Sequence, residues 1–314
     1  MTLYTLGLAF GPLFIAPFSE VLGRRYLYIC TLTCLLAFTG AGGGAPNFPA
    51  LLAFRFLAGF LGSSAMAIGA GTVSDIWILQ KSGGKVGIFF ILGPFLGPVL
   101  GPTAGTYILG GHHNDWRWTQ WIVLMVGAPI YLMTLFMRET SKGYILRHQT
   151  DAEDGPSTTT LVAQAIKKVK FAIFRSVKML LTDIVVFSLT LYTAYAYALT
   201  FSYFASIPYV FPRFYGFDRQ QTSLVYLSIL IGYLLAVVLF AFFDRTLYTR
   251  AREAAQGELP APEHRLYAAL VGSIFLPVGL FWYAWAPREG GHWAACAASG
   301  IPFGLGAFSL FVRR

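Results

Sequence analysis

Gly11-Pro12-Leu13-Phe14-Ile15-Ala16-Pro17-Phe18-Ser19-Glu20-Val21-Leu22-Gly23-Arg24-Arg25 joins two apolar runs, Leu3 to Val21 and Tyr26 to Ala45, through one carboxylate and two guanidinium groups. A carboxylate near a helix C-terminus opposes the macrodipole, so Glu20 needs cationic company. Gly23 ends the first helix, and Arg24 and Arg25 supply the charge, Arg24 at the i, i+4 spacing from Glu20. Each flanking run can cross about 30 Å of hydrocarbon, which takes roughly 20 helical residues. A short charged turn between two such runs is a loop at a membrane face.

The rest of the chain extends this pattern. Of 314 residues, 56% are hydrophobic and 12% charged, against about 25% charged in soluble domains. Mean hydropathy is +0.61. So few charges cannot cover a soluble surface, which excludes a soluble enzyme, a disordered chain and a disulfide scaffold. Cys30, Cys34 and Cys296 all lie in apolar runs and offer neither a bridge framework nor a metal-ligand spacing. No metal or cofactor is expected.

Seven further stretches have spanning length: Pro49 to Trp77, Val86 to Leu109, Trp118 to Met137, Asp183 to Tyr209, Thr222 to Phe243, Leu266 to Ala286, and Trp293 to Val312. Tight turns such as Gly42-Gly43-Gly44-Ala45-Pro46 and Gly110-Gly111 connect most of them. The polar stretch Arg138 to Thr182 separates five spans from four. Alternate connections carry 18 basic residues on one side of the membrane and four on the other: Arg117, Arg213, Arg219 and Arg288. The first side, with Arg24, Arg25 and the central stretch, is therefore cytoplasmic. Nine spans that end inside begin outside, so a further helix is expected in front of Met1.

One basic residue, Arg55, falls inside a span, in Arg55-Phe56-Leu57-Ala58-Gly59-Phe60. A charge at mid-bilayer costs about 2.5 to 3.5 kcal/mol on insertion scales, which makes an embedded arginine a functional candidate. It lies about two turns from the outer end, so snorkelling to the interface is the competing account. The fourth span reads Gly93-Pro94-x-x-Gly97-Pro98-x-x-Gly101-Pro102-x-x-Gly105. Its four glycines form one drifting stripe suited to close helix approach, and each proline removes a backbone donor and bends the helix.

These three segments resemble motifs A, B and C of the major facilitator superfamily, and the Ala-Pro-x-Ser-Glu form of the first is similar to its fungal drug:proton antiporter branch. Pro208-Tyr209-Val210-Phe211, Tyr215-Gly216-Phe217-Asp218 and Pro262-Glu263-His264-Arg265-Leu266 resemble the same branch. The resemblance implies an all-α polytopic membrane protein with an incomplete major facilitator fold, about nine of twelve helices, truncated at both ends. Residues 1–137 correspond to helices 2 to 6, 138–182 to the cytoplasmic central loop and 183–314 to helices 7 to 10. Asp244-Arg245 is a weak echo of the Glu20 and Arg24 pair, as an internal duplication would leave.

The implied activity is export of drugs, polyamines or related amphipathic or cationic compounds by alternating access, coupled to protons. A uniporter or symporter of the same fold, and an unstable fragment that transports nothing, are the alternatives. The implied parts are a gate at Gly11, Glu20, Gly23, Arg24 and Arg25, a hinge at Gly93, Gly97, Pro98, Gly101, Pro102 and Gly105, and cavity positions at Arg55, Tyr192, Tyr195 and Phe201. Aromatic rings with hydroxyl tips suit flat cations through contacts of about 0.5 to 2 kcal/mol each. The implied partners are a small-molecule substrate, protons and the bilayer, with no nucleic acid, for a monomer in the plasma or vacuolar membrane.

Coupling needs a titrating group in the cavity, yet Glu20, Asp75, Asp183 and Asp244 all sit at cytoplasmic helix ends, and Asp183 reads as an N-cap. His112-His113-Asn114-Asp115-Trp116 matches neither a zinc nor an acyltransferase spacing and reads as an exposed turn, so no enzyme is expected. In the central stretch an acidic link over 150–157 precedes a basic amphipathic segment with Lys167, Lys168 and Lys170, suited to the anionic inner leaflet.

Overall fold

The computed structural model describes residues 2–76, 83–111, 115–145, 158–243, 246, 267–288 and 291–311. Their regular structure is helical, with no strand among the described residues: α1 (Thr2–Leu22), α2 (Arg24–Gly43), α3 (Phe48–Gly62), α4 (Ser64–Ile76), α5 (Gly83–Gly111), α6 (Arg117–Leu135), α7 (Thr158–Thr182), α8 (Ile184–Tyr215), α9 (Arg219–Phe243), α10 (Tyr267–Trp285), α11 (Trp293–Ala298) and α12 (Gly300–Phe311). Eight stretches are long and apolar enough to cross a membrane, and Leu270–Trp285 is a shorter apolar helix. All nine expected spans fall on these helices. A bilayer forces this outcome, because hydrocarbon offers the backbone no hydrogen-bond partner outside the helix.

Local caps start several helices. Asn47 accepts from Ala50 N at 3.2 Å at the start of α3, and Asp183 accepts from Val185 N at 2.9 Å at the start of α8. Two of the spans, Phe48–Ile76 and Trp293–Leu310, are continuous but carry a local irregularity at a buried serine. Ser63 lies between α3 and α4 and Ser299 between α11 and α12, each donating its hydroxyl to the carbonyl three residues earlier, at 2.7 Å to Phe60 and 2.6 Å to Cys296. Such back-bonding competes with the helix ladder.

The described helices form two compact units, Met1–Leu79 with His112–Ser188, and Gln80–Gly111 with Leu189–Arg314. In the first, α1 crosses α3, α2 packs on α3 and α6, and α7 lies along α1. In the second, α12 packs against α9 and α10, and α5 packs on α9. This grouping differs from the division at residue 137, since it places α5 with the later helices. One face of α5 enters their core, where Val99 is fully buried with Ile207, Phe211, Ile229, Tyr233 and Phe308. Thr103 Oγ1 also donates to the Ser223 carbonyl of α9 at 2.9 Å.

Within its own unit, the glycine stripe of α5 is not the packed face. A Cβ at Gly93, Gly97, Gly101 or Gly105 would meet nothing within 4 Å among the described residues. At about 100° per residue, the stripe lies nearly opposite the face carrying Ile91, Phe95 and Val99. Close approach is made by other glycines. A Cβ at Gly59 would overlap the Tyr4 carbonyl oxygen, one at Gly7 would lie 2.7 Å from Phe60 N, and one at Gly232 would lie 2.9 Å from Leu305 N.

Candidate functional site

The loop between α1 and α2 is the centre of a polar cluster in the first unit. Gly23 adopts φ 87°, a left-handed conformation that lets one helix end and the next begin with this single residue between them. No side chain of its own segment caps α2. Glu139, just beyond α6, does so from 115 residues away, accepting from Arg24 N at 2.9 Å and Arg25 N at 3.0 Å. Its carboxylate also accepts from Thr140 N and Ser141 N at 3.0 and 2.9 Å. Partial burial works against the charged form, but the backbone donors of Ser141, Arg24, Arg25 and Thr140 outweigh it and hold the Glu139 carboxyl below its ordinary range.

The arginine side chains tie the loop to two more helices. Arg24 pairs with Asp75 at the end of α4 at 2.8 Å, and Arg25 Nη2 donates to the Leu135 carbonyl of α6 at 3.1 Å. Gly71 makes room for this, since a Cβ there would lie 2.7 Å from Arg24 Nη2. Of the expected gate residues, Gly23, Arg24 and Arg25 thus meet in one cluster with Asp75 and Glu139. Gly11 lies in the α1–α3 crossing, where a Cβ would overlap Ser63 and the Phe60 carbonyl. Glu20 is exposed on α1 and lines a groove with Lys167, Lys170 and Arg175 of α7. Its basic surroundings therefore include α7, which the spacing of the loop alone does not reveal.

Arg55 is partly buried on α3, and its guanidinium is near enough to the Tyr4 phenol of α1 to act on it electrostatically. Hydroxyl pairs link the neighbouring helices: Thr31 Oγ1 donates to Ser64 Oγ at 2.8 Å, and Tyr28 and Thr72 share a bond of 3.2 Å.

In the second unit the expected aromatic positions do not converge. The packed stripe of α8 is Ala196, Thr200, Tyr203, Ile207 and Phe211. Tyr192 is one turn before that stripe, Tyr195 is 64% exposed, and Phe201 lies about half a turn round the helix from Tyr192. The buried contacts are made by Tyr203, which stacks on Phe303 at 3.9 Å between centroids and shares a 3.1 Å hydrogen bond with Ser299. Ser206 Oγ donates to Tyr283 OH at 3.0 Å beside it. Alternating tyrosines in a long apolar run carry no label for which of them a neighbouring helix will cover, so this pair of contacts was not legible.

The sequence model of the Major Facilitator Superfamily matches residues 1–312. The chain belongs to this superfamily. Its superfamily relatives include the MFS-type transporter atr4 of Stereocaulon alpinum, 36% identical over 98% of this chain and 56% of that protein. Polyamine transporter 4 of Saccharomyces cerevisiae is 32% identical over 99% of this chain and 51% of that protein. The major facilitator superfamily multidrug transporter mdrA of Aspergillus fumigatus is 32% identical over 99% of this chain and 52% of that protein. The chain thus spans about half the length of these relatives. These relatives are named as transporters, not as enzymes.

The remaining sequence candidates, His112 to Asn114, Asp244-Arg245, Pro262 to Leu266 and the acidic link over 150–157, lie outside the described residues. Glu139 is the member of the α1–α2 loop cluster to which the sequence pattern does not point. It sits in an unremarkable Arg138-Glu139-Thr140-Ser141 turn, and its partner amides belong to a helix at the other end of the unit's chain.

Proposed function

We propose that this chain carries out export of amphipathic or cationic small molecules, such as drugs or polyamines, by alternating access coupled to protons, in the plasma or vacuolar membrane and as a monomer. The observation that supports it best is the match of nearly the whole chain to relatives named for multidrug and polyamine transport. The cluster of Gly23, Arg24, Asp75 and Glu139 suits a cytoplasmic gate, because it joins the ends of α1, α2, α4 and α6 through contacts that can break and reform together. Arg55 supplies a fixed positive charge within a span, and Tyr4 is its neighbour.

The test is accumulation of a labelled polyamine or fluorescent cation in cells stripped of their own exporters. The chain, expressed from its own transcript, lowers accumulation, and an uncoupler that collapses the proton gradient restores it. Accumulation unaffected by the uncoupler would remove proton coupling, and accumulation raised by the chain would favour uptake. Arg55→Ala is expected to reduce efflux at least tenfold with insertion unchanged, because the substrate path loses its one embedded basic group. Wild-type efflux by Arg55→Ala would take Arg55 out of the path.

The open glycine stripe of α5 separates hinge from packing roles. Gly97→Ala and Gly101→Ala are expected to leave the melting temperature unchanged, since an added Cβ meets nothing within 4 Å among the described residues, while slowing efflux if the bent helix must flex at Pro98 and Pro102. A lowered melting temperature would mean that this face is packed after all.

A further inference from the structure

We propose that the groove between α1 and α7 binds the headgroup of an anionic glycerophospholipid of the cytoplasmic leaflet, with Lys167, Lys170 and Arg175 as ligands of its phosphate and acidic group. Both helices belong to the same unit. The groove measures about 1000 Å³ and combines those three cations with Ala16, Pro17, Phe171, Ala172 and Phe174. Glu20 is the single acidic residue lining it, so the lining carries a net positive charge.

The helix that forms it is amphipathic, and one part of its apolar face is already used. Val169 is buried and Ile173 partly buried on α7, which packs along α1. Phe171 and Phe174 are 65% and 67% exposed, and Leu181 is 79% exposed. Bare aromatic rings beside three cations fit neither a water-facing loop nor a soluble phosphate. They fit a ligand with a charged head and apolar tails. A cationic helix with an apolar face lies in the membrane interface, buried by about 5 to 10 Å at the boundary between headgroups and acyl chains.

The depth of the groove agrees with that position. Ala16 and Glu20 precede the end of α1 at Leu22 by six and two residues, which at about 1.5 Å per residue places the lining roughly 3 to 9 Å from the helix end. That end bears Arg24 and Arg25, on the side rich in basic residues, and the cytoplasmic leaflet is the one that holds anionic lipid. A headgroup seated there lies next to Glu20, three residues before the turn that Glu139 and Asp75 hold in place. Lipid charge in this groove is therefore positioned to act on the same loop.

The experiment titrates the detergent-purified full chain with phosphatidylserine, phosphatidylcholine and water-soluble glycerophosphoserine, and counts retained ligand by native mass spectrometry. Phosphatidylserine is expected to be retained well above phosphatidylcholine. Each basic side chain near an anionic surface is worth about a fivefold change in partitioning, so Lys167→Gln, Lys170→Gln and Arg175→Gln together lower retention by roughly a hundredfold. The single variant Lys170→Gln, a surface change that leaves the fold intact, lowers it by about fivefold. Equal retention of the two lipids, or an unchanged preference in Lys170→Gln, would overturn the site. Glycerophosphoserine bound as tightly as phosphatidylserine would overturn the lipid as occupant and point to a soluble anion.

Discussion

Gly59→Leu prevents the first unit from assembling, and Gly59→Ala already lowers its melting temperature. At this position α1 and α3 touch backbone to backbone. A Cβ on Gly59 would overlap the Tyr4 carbonyl oxygen and lie 3.0 Å from the Tyr4 carbonyl carbon. Gly7 and Gly11 make the same crossing from the other helix, against Phe56, Phe60 and Ser63. Overpacking in a core costs about 1 to 3 kcal/mol when side chains can shift. Here the obstacle is main chain, so relief requires the helices to move apart along their whole contact. In a bilayer lipid tails replace the partner helix without a hydrophobic penalty, so close contact itself holds the pair together. The expected cost of Gly59→Leu is therefore about 3 kcal/mol or more. Gel filtration of a fluorescent fusion after detergent extraction reads it as a shift from a monodisperse peak to aggregate. A monodisperse Gly59→Leu with a wild-type melting temperature would show that the helices cross at a greater distance. Gly93→Ala is the matched control, because the same added carbon there meets open space.

The contrast between Gly59 and Gly93 marks the boundary of what this sequence discloses. Both glycines sit in apolar runs, and the Gly-Pro repeat around Gly93 is the more conspicuous pattern. A small residue permits close approach, but its neighbours decide whether a helix takes up the space. The spans and their order were legible because a bilayer imposes length and apolarity on each segment by itself. The charged loop of Glu20, Gly23, Arg24 and Arg25 was legible for the same reason, as a local pattern. Which face of α5 or α8 would be covered was not, since that depends on helices distant in the chain. Tyr203 and Phe201 are two residues apart in one aromatic run, yet one is buried and the other is 49% exposed. Glu139 shows the same limit for charge, because its meaning rests on amides 114 and 115 residues away.

Glu139→Ala uncaps α2 and unfastens the loop that carries Arg24 and Arg25. Two of the bonds lost are first-turn amides of a helix with no other cap, a change that costs about 0.5 to 2 kcal/mol, and the loss of negative charge from the helix N-terminus adds about 0.3 to 1 kcal/mol. Glu139→Gln keeps one good acceptor and removes the charge, so it falls between wild type and Glu139→Ala. The pH dependence identifies the carboxylate as the cause. Its folded-state pKa lies below the ordinary value of 4.5, so its stabilisation is fully present above that value and is lost as the pH falls through the depressed one. Melting temperatures measured across this acid range should therefore decline more steeply for wild type than for Glu139→Ala, with the two curves converging at the acid end. Parallel curves would mean that the carboxylate contributes nothing through its charge. If the curves do converge, the loop of Arg24 and Arg25 is anchored by an acid outside its own segment. Efflux by Glu139→Gln should then fall more than its stability does, because Arg24 and Asp75 would still pair but on a loop whose register against α6 is no longer fixed.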